Sequence, residues 1–492
     1  MVNLTVGRSD FPMAKSFIEL RIQLFNLLLL TFLSAVVLFP ALGQNRHWAS
    51  HEIRHAEIIR EMAESGNYLI PRLFGEVYYD KPPVMHAMAA FLTRLVGEPS
   101  ILIARLPSAV AGTVGALAIY GIGLLLFDRR IALLSAIVLL GMPGYTFMAR
   151  HVRPDMVFCA IILLSCLCFG LGMKRHQGIH RLFFFILAGL LAGLGVITKG
   201  PYGVIFPLFF AVLTPFRRQD FNRPTVGWIG FILGVTIALA IWAIPAYLYD
   251  NGEYLHKVIF QPDLDVSKGD AEKSVFWYFK YVFTFTLPSS LFLPFAFIDL
   301  RRRGYSAPLA VAVAIFIVIS CVSKKRQHYL IPLYPFLALG ISAFIMHHSN
   351  LSNFIRRAAW VLIPLSIATT PVNHLIVQPL TQPYKNSKMC LIKDILEIIE
   401  PNSYVYCAAN VTEELAWVGR QYERIRNLSV NSSASQILRQ PESKSYLVVD
   451  EENLKLLLNV AEPFTHEQIL SRTIDHKKII LFRLNESVPG IK

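Results

Sequence analysis

Long apolar runs, separated by short basic or polar connections, set the pattern of this chain. They fall at approximately 25–42, 101–127, 131–149, 155–173, 182–198, 201–216, 225–249, 276–299, 306–322, 328–346 and 358–378. Most are close to the ~20 residues that a helix needs to cross a hydrocarbon core ~30 Å thick. They are apolar all round and lack the one-sided stripe of a soluble helix. The pattern predicts a polytopic α-helical membrane protein of about eleven transmembrane helices, with thirteen as the upper bound. The first run follows a leader carrying Lys15 and Arg21 and reads as an uncleaved helix. The segment 82–97 is apolar but short and contains Arg94, which suits an interfacial or re-entrant helix.

The basic connections orient the chain. Arg129-Arg130, Lys174-Arg175 with Arg181, Arg217-Arg218 with Arg223, Arg301-Arg302-Arg303 and Arg356-Arg357 alternate with polar connections. All five share the cytoplasmic side if the N-terminus is cytoplasmic and the C-terminus lies outside. Past residue 380 the pattern changes: Tyr404–Ala409, Tyr446–Asp450 and Lys478–Phe482 read as strands and Glu451–Ala461 as a helix. The expected organisation is a membrane domain over 1–380, including a first outer loop at 44–100 with juxtamembrane helices, and a small C-terminal α/β domain over 381–492 outside the cytoplasm.

Composition agrees: 54% of the 492 residues are hydrophobic and 16% charged, too little charge to cover a soluble protein of this length. The formal net charge of +14 sits in clusters between apolar runs, which favours membrane surfaces as partners over nucleic acid. The six cysteines show no metal-ligand spacing. Cys390 and Cys407 are candidates for one disulfide if their domain is outside.

Several cations break the positive-inside bias. Lys81, Arg150, Arg153, Lys199 and the run Lys324-Lys325-Arg326 fall on the outer side, at or near helix ends. A membrane-borne anion such as a lipid phosphate gives them a reason to be there; snorkelling to ordinary headgroups is the alternative. The outer loops also carry His51-Glu52, Asp80, Asp155 and an acidic stretch ending in Glu272. Carboxylates from separate loops on one face suit a divalent cation or a general base. Residues 51–65 read as an amphipathic helix on the membrane, with Glu57, Glu61 and Glu64 on its solvated face.

Taken in order, Glu52-x-Arg54-x-Ala56-Glu57-Ile58, Gly66-Asn67-Tyr68-Leu69-Ile70-Pro71, Asp80-Lys81-Pro82-Pro83, Arg105-Leu106-Pro107, Asp155, Thr198-Lys199-Gly200-Pro201 and Tyr329-Leu330-Ile331-Pro332 resemble the glycosyltransferase C superfamily. Within it they resemble the lipid A aminoarabinose transferase and its protein O-mannosyltransferase-like relatives. The resemblance implies a membrane glycosyltransferase, hexosyl or pentosyl, in the cell inner (plasma) membrane, with its site on the periplasmic side. It would move a sugar from a polyprenyl-phosphate donor, undecaprenyl-phosphate-like, to a lipid, glycan or protein acceptor, as in lipid A modification or protein glycosylation. It implies donor-phosphate contacts at Lys81, Lys199, Lys324, Lys325, Arg326 and Tyr329. Asp80 and Glu272 would be ligands of a divalent metal ion, and Asp155 the acidic residue of the second loop.

One position departs from the family. Where Asp-Glu is usual, this chain has His51-Glu52. Either Glu52 takes over, or His51 serves as base or ligand, or catalysis is altered. A non-catalytic or transport-type protein that binds a polyprenyl-phosphate sugar is the alternative. A transporter should carry midplane charges and an internal repeat, and the sequence displays neither.

Overall fold

The computed structural model describes residues 12–44, 50–174, 179–214, 224–260, 274, 276–303, 306–322, 325–347, 353–377, 380, 388–400, 403–409, 415, 425–428, 445–460, 466–474 and 477–484. The chain divides into two compact units. One comprises Met1–Pro40, Tyr79–Met85 and Arg105–Val372, and the other Ala41–Tyr78, His86–Ala104 and Asn373–Lys492. The second unit thus groups most of the first polar loop with the C-terminal residues.

The first unit is helical: α1 (Pro12–Leu38), α4 (Ile101–Leu126), α5 (Arg129–Leu140), α6 (Pro143–Ala149), α7 (Pro154–Lys174), α8 (Ile179–Lys199), α9 (Tyr202–Leu213), α10 (Pro224–Asp250), α11 (Glu253–Phe260), α12 (Trp277–Phe285), α13 (Leu293–Arg303), α14 (Ala307–Ser320), α15 (Tyr334–His347) and α16 (Asn353–Val372). The second unit supplies α2 (Ser50–Ser65) and α3 (Val84–Val96), which begins at the boundary. Among the described residues, seven helices are long and apolar enough to cross a membrane, or nine if each of two bent pairs is one span. This is a polytopic membrane protein.

Two of the expected runs are broken. The run 131–149 bends by 67° between α5 and α6, where Gly141 ends one helix and Pro143 starts the next. The run 276–299 bends by 110° between α12 and the helical stretch from Ser289. α9 and α14, of 12 and 14 residues, reach only ~18 and ~21 Å at ~1.5 Å per residue, short of the ~30 Å core.

The closest helix packing joins α8 to α10. A β-carbon at Gly189 would collide with the Phe231 carbonyl, and one at Gly234 with the Ile186 carbonyl. The glycines let the two backbones touch, as small residues do where apolar lipid gives helices no other drive to associate. Around this seam pack Phe169, Phe185, Ala188, Ala192 and Phe231.

In the second unit α2 leads into a two-stranded hairpin, β1 (Arg72–Leu73) with β2 (Glu76–Val77). The turn Phe74-Gly75 has positive φ at both residues, 55° and 78°, as a tight hairpin turn requires. Glu61 steadies it by accepting the Phe74 and Gly75 N–H groups. The C-terminal residues form a five-stranded sheet in the order β4-β3-β5-β7-β6. Its strands are β3 (Tyr404–Ala408), β4 (Ile425–Asn427), β5 (Ser445–Asp450), β6 (His466–Ile474) and β7 (Lys477–Leu484). β3 pairs in parallel with β4 and β5, whereas β7 is antiparallel to β5 and β6. Side chains alternate between two cores. Val405, Cys407, Val448 and Leu481 face one side with Leu391, Ile392 and Ile395 of helix Lys388–Ile398, and Tyr406, Leu447, Val449 and Phe482 face the other with Leu457 of helix Glu451–Val460.

Cys390 and Cys407 carry separate thiols, not the expected disulfide. Cys407 is committed to the sheet core, and the Cys390 sulfur instead accepts from Arg472.

Candidate functional site

α7 and α8 are each 21 residues long and pack side by side as a helical hairpin. Asp155 lies in the first turn of α7, after Pro154, and Lys199 is the last residue of α8. Equal, antiparallel lengths return the two residues to the same level. Each sits at the helix end its charge favours, the acid at an N-terminus and the base at a C-terminus. The chain reverses directly after Lys199. Gly200 adopts φ +75°, and its N–H closes the helix on the Val196 carbonyl at 2.8 Å. Gly195 and Gly203 meet backbone to backbone across that turn.

Asp155 is 2% exposed and forms an ion pair with the Lys199 ammonium. His328 Nε2 is 3.9 Å from the other oxygen of that carboxylate. The Lys199 ammonium also stands 4.3 Å over the Tyr329 ring and 5.7 Å over Phe158, both cation–π contacts. Lys81 and Arg153 are within electrostatic range of this pair. The Asp155–Lys199 pair thus lies beside two aromatic rings, with Lys81 in electrostatic range of both members and Arg153 in range of Lys199. Cations and aromatic rings together suit an anion whose attached group is apolar or ring-shaped.

Other cations expected at this site serve helix ends. The Arg150 guanidinium donates to the carbonyls of Leu38 at 2.8 Å and Pro40 at 2.6 Å, closing the C-terminus of α1. The Lys325 ammonium is buried and donates to the Val322 carbonyl at 3.0 Å, just past α14. Carbonyls left open at a helix end attract such donors. Arg326 is exposed, while Lys324 and Glu272 lie outside the described residues. Asp80 and Lys81 are both half-buried. Next to them, Tyr79 lies 4.5 Å under the Lys257 ammonium, which is also bonded to Glu253 at 2.6 Å. That bond holds the Glu253 carboxyl below its ordinary range and the Lys257 ammonium above its own. Among the described residues no three His, Cys, Asp or Glu side chains gather as a metal site.

In the second unit, Glu52 lies in the first turn of α2 and is fully buried. The His51 backbone belongs to the same helix, but its side chain is outside the described residues. His55 Nδ1 and His86 Nε2 are 2.9 Å apart in a buried pair. Glu57, expected on a solvated face, is instead 1% exposed and ion-paired to Arg60 at 2.9 Å. Arg60 also holds Glu64 at 2.6 Å, and only Glu64 is well exposed. Most of the helix is buried, and Glu57, Arg60 and Glu64 pair along it.

His328 and Tyr278 did not emerge from the sequence as site residues. His328 precedes Tyr329 in a motif already noted, but a single histidine at the head of an apolar run carries no spacing signal.

Comparison with known proteins fits this geometry. Residues 80–245 match the family described as dolichyl-phosphate-mannose-protein mannosyltransferase. The undecaprenyl phosphate-alpha-4-amino-4-deoxy-L-arabinose arabinosyl transferase 2 of Proteus mirabilis is 23% identical over 381 residues, 74% of this chain and 68% of that protein. The corresponding transferase of Aeromonas hydrophila is 26% identical over 318 residues, covering 61% of this chain and 56% of its own length. The crystal structure of ArnT from Cupriavidus metallidurans bound to undecaprenyl phosphate superposes with a TM-score of 0.72. It covers 94% of this chain and 99% of that one at 16% identity.

The chain shares the fold of that ArnT structure and resembles the glycosyltransferase C superfamily. The chain resembles the branch of that superfamily that includes the aminoarabinose and protein O-mannosyltransferases. The family match runs from Asp80 through Lys199, so it takes in Lys81, Asp155 and Lys199. Glu52 and the Gln327–Leu333 turn fall outside it.

Proposed function

We propose that this protein transfers a sugar from a polyprenyl-phosphate donor, undecaprenyl-phosphate-like, to a lipid, glycan or protein acceptor at the outer face of the cell inner membrane. The observation that carries the reading is Lys199, held by the buried Asp155 at the facing ends of two apolar helices and set over the Tyr329 ring, with Lys81 in electrostatic range, in the fold of ArnT. The names of the relatives support the donor class. In the proposed topology about eleven spans cross the membrane, counting α9 and α14, and the C-terminal sheet lies outside the cytoplasm.

In the reaction, an acceptor oxygen attacks the anomeric carbon and the bond from that carbon to the phosphate oxygen breaks. The phosphate leaves with the bonding electrons and the acceptor's proton goes to a base. Lys199 and Lys81 stabilise the charge growing on the leaving phosphate, and Arg326 and Tyr329 complete its binding surface. Asp155 keeps the Lys199 ammonium aimed and charged. Glu52 is the base we favour for an acceptor hydroxyl. Asp80 and Glu272 would be the residues that hold a divalent ion, which would supply further charge for the phosphate.

The test is binding of undecaprenyl phosphate to purified protein. Lys81→Ala and Lys199→Ala should each weaken it about tenfold or more, while Arg302→Ala on the proposed cytoplasmic side changes nothing. Unchanged affinity in both outer variants would overturn the phosphate assignment and leave simple snorkelling.

A further inference from the structure

Tyr278 is fully buried in the first turn of α12, and its ring packs against Phe316. Its hydroxyl accepts the Arg326 N–H at 3.1 Å and donates to the Arg326 carbonyl at 3.2 Å. Both backbone groups of one residue are thus held by one side chain. Arg326 is extended, at φ −125° and ψ 140°, and caps the tight helix Gln327–Leu333. The same Arg326 carbonyl accepts the Tyr329 N–H at 3.1 Å. His328 and Tyr329, which approach Asp155 and Lys199, therefore leave the chain one turn beyond a residue clamped in place.

The length of the hinge gives the clamp its importance. Gln327–Leu333 is a tight helix of seven residues containing Pro332. Such turns have strained hydrogen bonds and hold their shape only when anchored. At one end the Leu330–Leu333 stretch is buried in the first unit. At the other end, Lys325 is occupied at the end of α14 and the Arg326 side chain is exposed. The Tyr278 hydroxyl fixes the backbone between them.

We infer that Tyr278 is a positioning residue of the transferase site: by clamping the Arg326 backbone it sets the Tyr329 ring under the Lys199 ammonium. This rests on the phosphate reading of Lys199 given above. Tyr278 itself need touch no substrate.

The experiment uses the full-length protein in detergent, with undecaprenyl phosphate as the probe. Four forms are compared: wild type, Tyr278→Phe, Lys199→Ala and the double variant. Amide hydrogen exchange of the peptide covering 325–333 is followed in parallel. Tyr278→Phe keeps the ring and its packing, so it should fold. It should bind about fivefold to tenfold more weakly, the order of the cation–π contact it keeps in place. In the Lys199→Ala background the same change should add less than about twofold, because the ring it positions no longer has its ammonium. Exchange at 326–329 should accelerate while α12 stays protected. Tyr278→Met, which removes hydroxyl and ring and leaves a flexible apolar side chain, should repeat the affinity loss. If Lys199→Ala weakens binding and Tyr278→Phe does not, the positioning role is wrong and the phosphate reading stands. Full additivity in the double variant would equally overturn it, because Tyr278 would then act independently of Lys199. If Lys199→Ala binds normally, the phosphate reading itself fails, and the role inferred for Tyr278 falls with it.

Discussion

Replacing Asp155 with asparagine separates two roles that one buried carboxylate can have. The residue is 2% exposed and its partner's side chain 21% exposed. Two unit charges in contact at about 3 Å attract by about 5 kcal/mol at an effective dielectric of about 20. Desolvation cancels much of this, so the pair as a whole adds little to stability. Removing one member is different, because it strands the other charge, at a cost of about 3–5 kcal/mol. The partial exposure of Lys199 lets water relax around its ammonium, which places Asp155→Asn near about 3 kcal/mol of destabilisation. Lys81 and Arg153 add to the repulsion once the carboxylate is neutral. Lys199→Met should cost less, because the stranded carboxylate keeps His328 at 3.9 Å and Lys81 within electrostatic range. Asp155→Asn with Lys199→Met should recover about 2 kcal/mol relative to the sum of the single changes. The assay is thermal unfolding of the purified variants with and without undecaprenyl phosphate. A phosphate supplies the missing negative charge, so the ligand should stabilise Asp155→Asn more than wild type. Strict additivity of the two substitutions would refute the pair. Equal ligand stabilisation of Asp155→Asn and wild type would refute its place in an anion site.

Further outcomes follow from the same structure. Glu52→Gln should reduce transfer by about 10²- to 10⁴-fold with donor binding intact, and His51→Ala should cost much less; the reverse ranking in a transfer assay would give the role to His51. An alkaline phosphatase fusion at the C-terminus should be active and one after Arg302 inactive, since the first reports an outer and the second a cytoplasmic location. Gly234→Val should abolish stable folding, because its β-carbon would meet the Ile186 carbonyl at the α8–α10 seam; normal yield and unfolding temperature would contradict the close packing. Glu61→Ala should lower stability by about 1–3 kcal/mol, since it leaves the Phe74 and Gly75 N–H groups without their carboxylate. Phe74→Gly in that background should recover part of the loss by easing the positive φ.

By itself the sequence determined that the chain is a polytopic membrane protein, and the resemblance to glycosyltransferase C proteins was legible in its motifs. Both are local or ordered properties. Runs of about 20 apolar residues have no other stable solvent, and a motif such as Thr198-Lys199-Gly200-Pro201 is read without knowing what lies opposite. The strands Tyr404–Ala408 and Ser445–Asp450 were legible for the same reason, as short apolar runs bounded by turn residues. β6 was not, because its exposed, mixed residues carry no burial pattern.

Only the tertiary structure decided how the charges are used. Arg150, Lys199 and Lys325 look alike in sequence, each a cation at or near the end of an apolar run. Arg150 and Lys325 donate to backbone carbonyls at or just past helix ends, whereas Lys199 meets Asp155, 44 residues away along the chain. Glu57 looked like part of a solvated stripe until Arg60 and the burial of α2 gave it a partner. Tyr278 and His328 reach the site across separations that no periodicity encodes. A charge's partner is fixed by which helices pack together, and that depends on contacts such as Gly189 against Phe231, made only once the chain has folded.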